Sequence, residues 1–296
     1  MFEGVFVASV TPFRKGQVDE EAFASHVERL IEGGVQGIVP AGCTGEAATL
    51  TLDEKKRLFK LTKEISGGRV SVVGGSGTNA TSTSIELTRL VKECGLDGAM
   101  LITPYYNKPT QEGLFRHYEA VAEAVNIPLV IYNVPGRTGV NILPDTVARL
   151  SEIKSIVAIK EASGLLDQVS AILSKCSITV LSGDDSLTLP MLSIGAKGVV
   201  SVTANVVPED VVEMVESFLS GKEALSREKH MKLFPLSKAM FVETNPSPVK
   251  KALELLGLIE GDLRLPLVPV GKESERVIRE ALTRHGLKPR EPLGAR

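Results

Sequence analysis

The chain has no tryptophan, few aromatic residues of any kind (4%), three cysteines, four histidines and almost no net charge: 34 basic against 36 acidic residues give a formal −2. Each shortage narrows what the protein can be. Near-neutrality leaves no basic field for holding nucleic acid or an anionic membrane, so small molecules are the expected partners. Cys43, Cys94 and Cys176 form neither an even framework nor a CxxC pair, which argues against structural disulfides and zinc clusters; free thiols are expected. The longest apolar runs, such as residues 128–132 and 198–202, fall far short of the roughly 20 residues that span a bilayer. The first residues, Met1-Phe2-Glu3-Gly4, carry no basic stretch followed by an apolar one, so no export signal is read and a cytoplasmic location is expected. With 43% hydrophobic and 24% charged residues, the composition is that of a protein able to bury a large core, and disorder is not expected.

What is present is an alternation. Short apolar, β-branched runs cover residues 5–10, 37–40, 70–74, 98–102, 128–132, 156–160, 178–181 and 198–202. Between them lie amphipathic segments over 20–31, 53–65, 81–93, 111–125, 144–150, 165–173, 187–194 and 208–219. Strand, turn, helix in strict repetition marks parallel strands joined by crossover helices. The repeat count reaches the eight strands that close a (β/α)₈ barrel, an α/β fold that routinely runs to about 250 residues as one domain. Asp53 is placed to N-cap its helix, and Pro144 and Pro208 suit a first helical turn. A barrel over 1–220 followed by a C-terminal helical extension over 221–296 is therefore the expected organisation, with the tail 288–296 frayed. An open doubly wound sheet is the competing topology. It usually carries a Gly-rich loop after its first strand, whereas Thr11 is followed by Pro-Phe-Arg-Lys.

Catalytic groups in barrels sit at the carboxyl ends of the strands. Here those ends supply Thr11, Gly42-Cys43-Thr44-Gly45-Glu46, Gly75-Ser76-Gly77, Thr103-Pro104-Tyr105-Tyr106, Tyr132-Asn133, Lys160-Glu161, Ser182-Gly183-Asp184-Asp185 and Ser201. Histidine is missing: His26, His117, His230 and His285 all fall in helical segments, which disfavours a histidine-held catalytic metal or a Ser-His-Asp triad. Asp184-Asp185 reads as a turn with a helix cap in preference to a magnesium site.

Lys160 is the sharpest feature. Alternation puts it on the face of Ala158 and Ile156; if that face is the barrel interior, burial lowers its pKa and frees an amine for imine formation. A strand-end lysine reaching solvent, or pairing with Glu161, remains the competing reading. Tyr132 ends the preceding strand, so its phenol could ferry protons beside the lysine, or simply be a core tyrosine. The 42–46 turn offers backbone N–H groups and a hydroxyl that suit a carboxylate such as that of pyruvate, or is simply a tight turn, which uses such sequences equally. Arg137, in Val134-Pro135-Gly136-Arg137-Thr138-Gly139, could grip a second carboxylate or sit in solvent.

Seven motifs occur in order: Gly42-Cys43-Thr44-Gly45-Glu46 with Ala48-Thr49-Leu50, Pro104-Tyr105-Tyr106-Asn107-Lys108-Pro109, Tyr132-Asn133-Val134-Pro135-Gly136-Arg137-Thr138-Gly139, Ile159-Lys160-Glu161-Ala162, Leu181-Ser182-Gly183-Asp184-Asp185, Ser201-Val202-Thr203-Ala204-Asn205 and Asn245-Pro246-Ser247-Pro248-Val249-Lys250. Together they resemble the dihydrodipicolinate synthase / N-acetylneuraminate lyase family of pyruvate-dependent class I aldolases over essentially the whole chain. The resemblance implies that Lys160 forms an imine with pyruvate and that Tyr132 relays protons. It implies that Thr44 and the backbone of Val200 hold the pyruvate part, with Gly183 as a further substrate-binding position. Arg137 would bind the carboxylate of L-aspartate 4-semialdehyde, and Tyr106 would cross from a neighbouring subunit. A homo-oligomer is implied, a tetramer built from dimers, with no cofactor beyond the imine.

Two positions depart from the pattern. Cys43 stands where a threonine hydroxyl usually links the two tyrosines, and a thiol is the weaker donor. Gly136 stands where a serine is common, adding backbone freedom to the arginine loop. Feedback inhibition by lysine in part of the family uses histidines and a glutamate, where this chain has Leu52, Lys55 and Thr83, with Asn79 and Tyr105 kept. Without the carboxylate, weak or absent inhibition is expected.

Overall fold

The computed structural model describes residues 2–290. Eight strands form a closed, wholly parallel barrel: β1 (Gly4–Ala8), β2 (Gly37–Val39), β3 (Ser71–Gly75), β4 (Gly98–Ile102), β5 (Leu129–Asn133), β6 (Ile156–Glu161), β7 (Thr179–Ser182) and β8 (Gly198–Ser201), with β1 paired to β8 and β2. The crossover helices are α1 (Glu20–Glu32), α2 (Leu52–Ser66), α3 (Thr81–Glu93), α4 (Gln111–Ala124), the short α5 (Pro135–Thr138), α6 (Pro144–Ser151), α7 (Leu166–Lys175), α8 (Thr188–Ser193) and α9 (Pro208–Leu219). Each strand and helix expected from the sequence is present, with ends moved by a residue or two.

Period-two alternation sorts the strand residues between two cores. Val7, Ile38, Val72, Leu101, Ile131, Ile159, Val180 and Val199 face outward into the layer shared with the helices. Phe6, Ala8, Val39, Val73, Met100, Val130, Ala158, Leu181 and Val200 fill the barrel instead. Phe2 and Phe6 meet edge to face at 5.7 Å and plug the amino-terminal end. They fit because the strands open with glycine: a Cβ on Gly37 would lie 2.1 Å from the Phe6 ring, and one on Gly98 2.7 Å from Phe2. Side chains of this size contribute about 1.5–3 kcal/mol each when fully buried.

Three details differ from the sequence reading. The N-cap of α2 is Thr51, not Asp53: the Thr51 hydroxyl accepts from the Glu54 N–H and the Glu54 carboxylate accepts from the Thr51 N–H, a reciprocal capping box. Pro144 and Pro208 do occupy first-turn positions. Second, a small hairpin, Phe13–Arg14 with Gln17–Val18, follows β1. Third, the register between β5 and β6 slips at Leu129/Val130, so that Leu129 pairs with Ile156 and Val130 with Ala158. The bulge turns Ile156 into the outer core, so it does not share the face of Ala158 and Lys160.

After residue 220 come α10 (Glu223–Ala239), α11 (Ser247–Leu255) and α12 (Lys272–His285). Leu233, Leu236, Met240, Val249, Leu253, Ile278 and Leu282 from this region join the same buried cluster as the helices around the barrel. Of the tail expected to fray, Arg290 is held, its N–H donating to Leu255 O at 2.6 Å; residues 291–296 lie outside the described residues. No helix among the described residues is long and apolar enough to cross a membrane.

Candidate active site

The carboxyl ends of β2, β5, β6, β7 and β8 bring the expected residues to one end of the barrel. Lys160 is the fifth residue of β6, two beyond Ala158, so its side chain enters the barrel, and only 4% of its surface is exposed. Tyr132 is its register partner on β5 and is also buried. The ammonium nitrogen stands 4.1 Å from the centre of the Tyr132 ring. Neither competing reading of Lys160 survives. It does not reach solvent, and Glu161 faces the other way, accepting from Asn133 Nδ2, Gln168 Nε2 and the Ser163 N–H.

Burial sets the electrostatics. Removal from water lowers the Lys160 pKa to about 8, with Arg137 acting in the same direction and the proximity of Cys43 and Asp185 opposing it. The Tyr132 phenol moves the other way: burial, then the proximity of Cys43, raises its pKa. The site therefore holds an amine that loses its proton far more readily than a free lysine, beside a phenol that keeps its own. Asp185 is buried just beyond β7, its carboxylate accepting from the Ser201 hydroxyl and from the N–H groups of Val202 and Thr203. Asp184 caps the short helical turn that follows, accepting from the Ser186 N–H.

Gly183 contributes space. A Cβ there would sit 2.6 Å from Ala162 Cβ and 3.1 Å from both Cγ and Cε of Lys160, so the glycine lets the lysine stem lie against the β7 end. Val200, buried on β8, belongs to the interior cluster that contains Tyr132.

The turn after β2 carries Cys43 and Thr44, and its course depends on two non-glycine residues in the left-handed region, Ala41 (φ 51°) and Glu46 (φ 54°). Thr44 is buried and its hydroxyl accepts from Asn245 Nδ2 at 3.0 Å. Half-buried Cys43 lines a cavity of about 270 Å³ together with Tyr132, Ser76, Lys55 and Tyr105. Lys55, on the wall of this cavity, is lowered in pKa by burial. Leu52 is 59% exposed and Thr83 is also on the surface.

Arg137 rides on α5, exposed, and donates to the backbone carbonyl of Asn245 at 3.1 Å. No atom lies within 4 Å of a Cβ built on Gly136, so a serine would fit there; the glycine is not demanded by space. Tyr106 is not in the site of its own chain: it is 89% exposed, in the left-handed region at φ 73°. The four histidines lie on α1, α4, α10 and α12, with His26 hydrogen-bonded to Asn205, His117 to Thr81 and His285 to Asp210.

Sequence reasoning missed the connecting role of Asn245, which touches both Thr44 and Arg137. A model of the dihydrodipicolinate synthetase family matches residues 1–285. The chain belongs to that family. It is accordingly an enzyme, of the lyase class. A 4-hydroxy-tetrahydrodipicolinate synthase of Pelobacter propionicus is 52% identical over 289 residues, covering 97% of this chain and all of the relative. The crystal structure of dihydrodipicolinate synthase from Aquifex aeolicus superposes with a TM-score of 0.96 at 44% identity, over 98% of this chain and 100% of that one. Another solved relative, described as the first monomeric dihydrodipicolinate synthase variant, gives a TM-score of 0.95 at 44% identity, over 97% and 96% of the two chains. The family assignment and the barrel agree along nearly the full length.

Proposed function

We propose that this enzyme works in the cytoplasm as a 4-hydroxy-tetrahydrodipicolinate synthase, condensing pyruvate with L-aspartate 4-semialdehyde through an imine on Lys160, in the diaminopimelate route to lysine. The observation that carries the reading is the buried Lys160 amine above the Tyr132 ring at the barrel mouth. The neutral amine attacks the ketone carbon of pyruvate, giving a carbinolamine. Tyr132 delivers the proton with which the hydroxyl leaves as water, and the imine forms. The protonated imine draws electrons from the methyl carbon, which loses a proton to become an enamine. That carbon bonds to the aldehyde carbon of the second substrate, whose oxygen takes up a proton. The amino group of the second substrate then attacks the imine carbon, closes the ring and releases Lys160. The imine is the electron sink, so no cofactor is required.

Thr44 and the backbone of Val200 hold the pyruvate part in this scheme, Gly183 leaves room for it, and Arg137 forks onto the carboxylate of the aldehyde. Cys43 takes the relay place between Tyr132 and Tyr106 of a second copy. The exposed, left-handed Tyr106 supports that crossing, as does the singling out of a monomeric relative, and we infer a homo-oligomer, a tetramer of dimers. Steady-state rates with pyruvate plus L-aspartate 4-semialdehyde, set against pyruvate plus sugar aldehydes, test the substrate assignment. Higher kcat/KM for the semialdehyde is expected; preference for the sugars would assign the protein to a sister aldolase.

A further inference from the structure

One group of buried charges plays no part in the chemistry above. Lys250 on α11 and Glu46 in the turn after β2 form an ion pair at 2.6 Å, with both side chains 0% exposed, across 204 residues of chain. The other Glu46 oxygen accepts from the Arg264 N–H, and the Lys250 ammonium lies 4.3 Å from the centre of the Phe13 ring. A buried pair of this kind is weak support for stability compared with apolar packing, and its best-attested use is to fix one arrangement among several. The arrangement fixed here is identifiable. Glu46 is a left-handed residue closing the turn that presents Cys43 and Thr44, and its N–H donates to Cys43 O.

The same segment of chain reaches the turn a second time. Asn245 Nδ2 donates to the Thr44 hydroxyl oxygen, which leaves the hydroxyl proton of Thr44 free to donate into the site. The backbone carbonyl of Asn245 accepts from Arg137. We propose that residues 245–250 are a positioning element for the pyruvate half of the site, Lys250 acting through Glu46 and the Asn245 side chain through Thr44. The two contacts set the height and the hydrogen-bond polarity of Thr44, and the helical region after the barrel is thereby a working part of the site. The proposal rests on the reading of the turn as the pyruvate-holding loop.

The test measures KM for each substrate and the pyruvate concentration that half-saturates borohydride trapping. Removing Lys250 or Glu46 alone would strand a buried charge, so the informative variant is the neutral pair Lys250→Met with Glu46→Gln. In the folded variant KM for pyruvate and the half-saturating trapping concentration are expected to rise about tenfold, with KM for the aldehyde within about twofold, because a misplaced contact costs binding only where it acts. Lys250→Arg, which keeps the charge, is expected to restore most of the pyruvate affinity. Asn245→Ala, which keeps the backbone contact to Arg137, is the second variant should the neutral pair fail to fold, and the same selective rise is expected of it. Unchanged pyruvate KM in a folded variant, or equal loss for both substrates accompanied by lower thermal stability, overturns the proposal. Failure of the wild-type chain to trap pyruvate would instead overturn the imine reading itself.

Discussion

The Lys160 nitrogen stands 4.1 Å from the centre of the Tyr132 ring, the two residues being register partners on adjacent strands. A cation over an aromatic face is attracted by the ring quadrupole, typically by about 0.5–2 kcal/mol, but this ammonium has also lost its water. Desolvation is the larger effect, and it lowers the pKa to about 8.

That balance makes Lys160 costly to the fold. Its folded pKa lies below the ordinary 10.5, so between about pH 8 and 10.5 the unfolded chain binds more protons, and stability rises with pH across that window. Below pH 8 the full cost is present, about 3 kcal/mol by the usual conversion. Lys160→Met is therefore expected to be inactive yet more stable than wild type at pH 7, by roughly 1–3 kcal/mol, with the difference narrowing at pH 10. Urea denaturation at the two pH values measures it; a less stable variant at pH 7 would contradict the burial argument.

Cys43 lines the same cavity as Tyr132, and its proximity opposes the lowering of Lys160 and adds to the raising of Tyr132. A thiol donates weakly, and the net worth of one ordinary hydrogen bond is about 1 kcal/mol, or roughly fivefold in rate. Cys43→Thr is expected to raise kcat by about that factor, with KM for pyruvate little changed. An unchanged or lower kcat would show that the sulfur is no handicap to the relay.

Gly183 tests the placement of the lysine stem that lies against it. The methyl of Gly183→Ala would crowd Lys160 Cγ and Cε at 3.1 Å and Ala162 Cβ at 2.6 Å. Displacing a reacting atom by even 1 Å can cost about a hundredfold, so a loss in kcat between about tenfold and a hundredfold is expected with the far-UV circular dichroism unchanged. Full activity would mean that the lysine stem does not depend on that gap.

The barrel was legible because eight strands in a closed parallel sheet must repeat the same pattern, and residues such as Val72 and Val73 or Ile131 and Tyr132 show their inside and outside directly in the period of two. The same period put Lys160 and Tyr132 at adjacent strand ends but left solvent exposure and core packing open for them, and only the family motifs pointed to a role. The misassignment of Ile156 came from the bulge opposite Leu129, which no local alternation announces. Asp53 was a good cap by type, but Thr51 has Glu54 three residues on and forms the reciprocal pair. The 13–18 hairpin consists of strands of two residues, too short for a period to appear. Least visible were the contacts of Asn245 and Lys250, whose partners lie some two hundred positions away and share no pattern with them.

The central claim is that the Lys160 amine attacks pyruvate. Reduction with borohydride in the presence of pyruvate, followed by peptide mass spectrometry, reads it directly. A carboxyethyl group on Lys160 is predicted, forming faster as pH rises toward and past about 8 as the amine loses its proton. An unmodified Lys160 under those conditions, or an adduct on another lysine, would contradict the account.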